Sequence, residues 1–104
     1  MTADVSGRDA VVAWNIDHRS RSPYQLRHNE TNVHPVASDE DVCSFRSHIF
    51  VTQIVGGGVV PLASGICVGA ARTVQGRLRH SDLRLMLEYT DSQVFSAATR
   101  FAFD

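Results

Sequence analysis

Four strand-like runs separated by very short breaks constrain this chain more than any other feature. They cover Tyr24 to Val36, Asp41 to Val55, Val59 to Val74 and Arg77 to Tyr89, and the breaks between them read "ASDED", "GGG" and "QG". Such residues favour turns, because they accept left-handed backbone or bond their own main chain. A connection this short joins antiparallel neighbours, whereas a parallel pairing needs a crossover of a dozen or more residues. The runs therefore predict a four-stranded antiparallel meander. Ahead of them, residues 6 to 21 carry a helical pattern: Ser6 stands three places before Asp9 in a capping-box-like start, and Val12, Ile16 and Arg19, with Ala13 beside them, fall on one face. Pro23 ends that helix, since it disfavours α geometry in the residue before it and has no N–H to donate. The tail "SQVFSAATRFAFD" alternates around Phe101 and Phe103, which suits a short edge segment.

Period-two reading assigns faces to the strands. In the second run Cys43, Phe45, Ile49, Val51 and Val55 share the drier side. The fourth run gathers Leu83, Leu85, Leu87 and Tyr89 against His80, Asp82, Arg84, Met86 and Glu88. In the third, the small residues Ala63, Gly65, Cys67, Gly69 and Ala71 make one face nearly bare of bulk, and such a face admits another backbone, a helix or a ligand. Trp14, the helix face and the drier sheet face are expected to form the core, so Ile16→Ala or Trp14→Ala should cost about 2 to 5 kcal/mol. The expectation is an α+β fold with one N-terminal helix on a strongly curved sheet.

Composition narrows the function. The chain of 104 residues has 43% hydrophobic and 20% charged residues, which suits one soluble domain spanning 1–104. A net charge of −1 with acids and bases interspersed gives no clustered cation face for nucleic acid or an anionic membrane. No segment has the apolar length of a membrane span or a leader peptide, which points to the cytoplasm. Cys43 and Cys67 have no CxxC and no zinc-ligand spacing, so they read as reduced, half-buried thiols. "VGGGV" joins two strands, lacks the Lys-Ser/Thr that follows in a phosphate loop and opens no helix, so it reads as a hairpin turn.

One stretch stands apart. "PYQLRHNETNVHP", residues 23 to 35, sets two histidines, an arginine, a glutamate and two asparagines on a strand rhythm. Burying such groups without partners costs several kcal/mol, so this strand lines a wet pocket or lies on an exposed face.

Taken in order, "GRDAVVAW", "LRHNETNV", "SHIFVTQIVGGGVVPLASGICVGAARTVQGRLRHSDLRL" and "YTDSQ" resemble the polyketide-cyclase-like (SnoaL-like) branch of the nuclear transport factor 2-like superfamily. Arg27 with His28, Thr31 to Val33, Ser47 with His48, Ser64 with Gly65, and Gly76 with Arg77 sit at the branch's motif positions. Departures are Ile66 and Cys67 in place of an Arg-Tyr pair, Leu78 in place of Trp, and His48 in place of Tyr. The two helices and short strand with which members usually begin, and which close the pocket, are not recognised. The resemblance implies a shortened, cystatin-like cone-shaped α+β barrel whose missing cover is supplied by a partner chain or lost by shortening.

It also implies a small-molecule pocket and, as function, a cofactor-independent dehydratase, isomerase or cyclase acting on a small apolar hydroxy or keto substrate. The alternative is a non-catalytic binding or assembly module that uses the curved sheet for oligomerisation. His28 is the implied catalytic residue, because the equivalent strand faces the cone interior and neutral imidazole both accepts and donates a proton near pH 7; its bland counterpart is a histidine bonded to a neighbouring strand. Glu30 and Asn32 share its parity and are assigned to substrate binding, together with His48, Asp82 and Arg84. Asp82 and Arg84 read equally as a surface ion pair. His34 and His80 are expected to be exposed. No metal is expected, since no third ligand stands at a characteristic spacing. A homodimer is expected, formed on the concave face around Ala63, Gly65, Gly69 and Ala71.

Overall fold

The computed structural model describes residues 2–23, 25–91 and 97–103. It is an α+β fold in the order β1 (Thr2–Ser6), α1 (Arg8–Arg21), β2 (Gln25–Ser38), β3 (Val42–Val55), β4 (Gly58–Val74), β5 (Arg77–Thr90) and β6 (Ala98–Ala102). The meander is present as expected, but the sheet has six strands rather than four, in the order β1-β6-β5-β4-β3-β2. The additional pair comes from the chain ends. β6 lies antiparallel to β5 and β1 lies parallel to β6. The tail therefore forms an interior strand rather than an edge; its first residues, 92 to 96, lie outside the described residues. Five-residue strands carry too little periodicity to be read alone, and a parallel pairing between the two ends is a tertiary event.

Turn chemistry explains the hairpins. Gly56 and Gly57 have φ of 58° and 81°, and Gln75 and Gly76 have 52° and 74°. Two successive positive φ angles give the primed turn whose twist matches its flanking strands. Residues 39 to 41 close the β2–β3 connection, where the Asp39 N–H donates to the Val42 carbonyl at 2.7 Å.

The helix cap falls one residue beyond its expected place. Ser6 belongs to β1, and the N-cap is Gly7, with φ 93° and no side-chain cap. Its N–H donates to the Ala102 carbonyl at 2.8 Å, so the strand pair itself redirects the chain into α1. Pro23 ends the helix as expected. The buried face, however, is Val11 and His18 with half-buried Trp14 between them; Val12 and Ile16 are 52% and 63% exposed. α1 lies over β1 and β6, and docking on that corner selects the Val11–Trp14–His18 side. Trp14 meets Phe101 edge-on with ring centroids 5.1 Å apart.

The drier faces converge on the concave side. Ile49, Val51, Leu62, Ala63, Cys67 and Phe101 are all buried there. Tyr89 shares parity with Leu83, Leu85 and Leu87, yet a register shift between Ser64 and Gly65 sets it opposite Ser64, and it is 52% exposed. Bulges of this kind bend the strand and raise its twist, and they curve this sheet. The small residues of β4 are consumed by the chain's own packing. A Cβ on Gly65 would lie 2.7 Å from the Leu87 Cα, and one on Gly69 would lie 2.5 Å from Phe45 Cζ and 2.7 Å from Leu83 Cδ2. With Ala63 and Ala71 at 1% and 6% exposure, this face has no room for the second copy expected there. Both cysteines are free, and Cys67 is buried rather than half-buried.

Phe101→Ala is expected to cost about 3 to 5 kcal/mol in urea denaturation, while Ile16→Ala changes stability by no more than about 0.5 kcal/mol, reversing the sequence-based expectation for Ile16. A large loss at Ile16 would contradict the seating of α1.

Candidate functional site

Between α1 and the curved sheet lies a cleft of about 450 Å³. Its apolar wall is built by Ile49 and Val51 of β3, Leu83, Leu85 and Leu87 of β5, and Phe101 of β6, with Trp14 across from them on the helix. Polar groups enter from four elements: Asn15 and His18 from α1, His28 and Glu30 from β2, Cys67 from β4 and Thr99 from β6. An apolar pocket with few convergent polar groups is the usual form of a small-molecule site.

The register fixes the β2 contribution. His28 pairs with Val51 and Glu30 with Ile49, so both point to the side on which those core residues lie. His28 is exposed as a residue because it belongs to the terminal strand, yet its imidazole lines the cleft. Asn32 shares their parity but not their side. It has a left-handed φ of 53°, the register breaks between Thr31 and His34, and its Nδ2 lies 3.4 Å from His48 Nδ1. His48 is exposed and pairs with Ile66 and Thr31, whose side chains face away from the cleft.

Asp82 and Arg84 lie on the outer face as well. Arg100 donates to Asp82 Oδ2 from Nη2 at 2.8 Å and from Nε at 3.1 Å, and Arg84 Nε is 3.6 Å from Asp82 Oδ1. This is the ion-pair reading, widened by Arg100 of β6. Of the six residues selected from the sequence, the fold brings His28 and Glu30 to the cleft and sets the other four outside it. His34 and His80 are exposed, as expected.

His18 was not singled out, although Val11, Trp14 and His18 stand at i, i+3 and i+7, the spacing of one helical stripe. Its ring stacks on Trp14 at a centroid distance of 4.6 Å and an angle of 17°. Among the described residues no group of three or more potential metal ligands comes together.

Burial sets the electrostatics. The His28 imidazole is held below its ordinary pKa first by desolvation and then by Arg19, with Glu30 opposing. His18 is lowered by burial, then by Arg21 and His28, against Asp17. Cys67 is raised by burial and by Glu30, with Ser47, its partner across β3 and β4, opposing. The site at neutral pH thus holds two neutral imidazoles and an un-ionised thiol, and neutral imidazole is the form that accepts a proton.

A histidine whose folded pKa is depressed binds fewer protons when folded than when unfolded. Stability is then complete above the unfolded value of 6.5 and falls as pH drops from there toward the depressed folded values. The urea midpoint should decline between pH 7.5 and 5.5, and His28→Gln should flatten that decline; an unchanged slope would contradict the desolvation of His28.

No protein-family model and no curated protein matches the chain. Solved structures do. A protein of unknown function from Mycobacterium tuberculosis superposes with a TM-score of 0.70 at 24% identity, over 86% of this chain and 55% of that one. The structure assigned as the beta subunit of an aromatic-ring-hydroxylating dioxygenase from Novosphingobium aromaticivorans gives 0.58 at 12% identity, over 98% of this chain and 66% of that one. The chain thus spans between about half and two-thirds of the structures it resembles. Both likenesses are of fold alone.

Proposed function

We propose that the cleft binds a small apolar molecule bearing a hydroxyl or keto group and that His28 is its acid–base residue. The reaction class is a cofactor-independent dehydration, isomerisation or cyclisation, in keeping with the polyketide-cyclase-like resemblance. The observation that supports this reading is the joining of an apolar cleft of about 450 Å³ to His28 and Glu30, set at alternate positions of one strand. The apolar wall takes the hydrocarbon body and leaves the substrate's oxygen toward β2. Neutral His28 then removes a proton from a carbon beside the carbonyl, and the imidazolium so formed returns that proton to carbon in an isomerisation or gives it to the hydroxyl that leaves as water in a dehydration. Glu30 favours the imidazolium that forms during transfer, because its charge raises the affinity of His28 for a proton. Asn32, His48, Asp82 and Arg84 take no direct part in this scheme. The same reading treats residues 1–104 as belonging to one domain, working in the cytoplasm as a homodimer.

Trp14 is the single tryptophan of the chain and lines the cleft, so its emission reports occupancy. The bicyclic ketone 2-decalone should change Trp14 emission saturably. In deuterium oxide the protein should speed exchange of the hydrogens beside the carbonyl, followed by NMR. His28→Ala should lower that exchange by about 10²-fold or more while leaving binding in place. Saturable binding without exchange would establish the non-catalytic binding module instead, and the absence of any saturable change would overturn the pocket.

A further inference from the structure

β2 ends the sheet. It pairs with β3 along one side, and among the described residues no strand pairs with its other side. Alternate N–H and C=O groups of a 14-residue strand are therefore directed away from the sheet, a ready template for another chain. The backbone devices that block such an edge are confined to its second half: the left-handed Asn32, the shifts between Thr31 and His34 and between Pro35 and Ala37, and Pro35 itself, which has no N–H. The first half lacks all of them. Gln25 to Thr31 pairs with Ile54 to His48 in unbroken register.

We propose that a second copy of this chain adds to this half, edge to edge and antiparallel, about a two-fold axis at Asn29, so that each cleft rim is completed by the other copy's Glu30. A two-fold axis perpendicular to the sheet keeps cleft-facing residues with cleft-facing residues, which allows only a few registers. Centred on His28, the pairing sets histidine against histidine and Glu30 against Leu26. Centred on Glu30, it opposes two carboxylates, which is unfavourable. Centred on Asn29, it sets His28 opposite Glu30 twice and Arg27 opposite Thr31 twice. A carboxylate accepts the imidazole N–H in either protonation state, so the strand is self-complementary in this register. Its cleft-facing alternation of imidazole and carboxylate then serves assembly as well as the cleft.

Thr31 is exposed and faces away from the cleft, so it tests the register without touching the site. Thr31→Glu places a carboxylate against Arg27 of the other copy, and Thr31→Arg places a second guanidinium there. Light scattering across a dilution series should give a dimer whose midpoint moves at least about threefold to lower concentration for Thr31→Glu and to higher concentration for Thr31→Arg. In a Cys43→Ser background, Asn29→Cys should form an intermolecular disulfide on mild oxidation, because directly opposed residues lie within the Cα separation a disulfide spans. A monomer at every concentration up to ~1 mM, or a dimer that both Thr31 variants leave unchanged, would overturn the proposal. No ligand enters these measurements, so their outcome is independent of what the cleft binds.

Discussion

The absence of bulk on one face of β4 is the constraint on which the remaining structure depends. β4 stands inside the sheet, between β3 and β5, and its concave side presents Ala63, Gly65, Cys67, Gly69 and Ala71. Gly65 lets the β5 backbone approach, and Gly69 leaves the space that Phe45 and Leu83 fill. Side chains at either position would push β5 or the neighbouring rings away, and interiors packed at crystal-like density do not absorb such displacement cheaply. The register shift beside Gly65 bends the sheet. Curvature then gathers leucines of β5, aliphatics of β3 and Phe101 of β6 around one cleft.

That geometry also explains why the second strand tolerates so many polar groups. β2 is terminal, so Arg27, Asn29, Thr31 and their neighbours remain in water along one face and one edge. Only His28 and Glu30 turn toward the cleft, and they do so at its rim. Desolvation there is enough to keep His28 below its ordinary pKa, while access to solvent spares Glu30 the much larger cost of a fully buried charge. The strand is both a wet pocket wall and an exposed face, and its two parities divide those roles.

The likeness to longer solved structures concerns architecture, and one architecture hosts unrelated chemistries. What this chain sets on that architecture is local: a tryptophan–histidine stack on α1, a histidine and a glutamate two residues apart on the facing strand, and a buried thiol. α1 covers the β1–β6 corner, and its Val12 and Ile16 side remains open to solvent.

The sequence by itself determined the meander, because its turn residues and period-two alternation are local properties that fix hairpins of short connection. It also determined the small face of β4, the dry face of β3, the end of α1 before Pro23, and the face that His28 and Glu30 share. Tertiary structure decided the rest. Five-residue β1 and β6 exist only through pairing with each other and with β5, and the seating of α1 on that pair chose Val11, Trp14 and His18 over Val12 and Ile16. A bulge decided the fate of Asn32: parity counts residues, and each register shift reverses the count, so Asn32 left the cleft side, as Tyr89 did, whereas His48, Asp82 and Arg84 lie outside by parity alone. Asp82 found its partner, Arg100, on β6, whose alternation suited an edge segment but whose place inside the sheet depends on pairing with β1. A pattern with period two carries no record of where an extra residue will be inserted, since that depends on backbones meeting across the sheet.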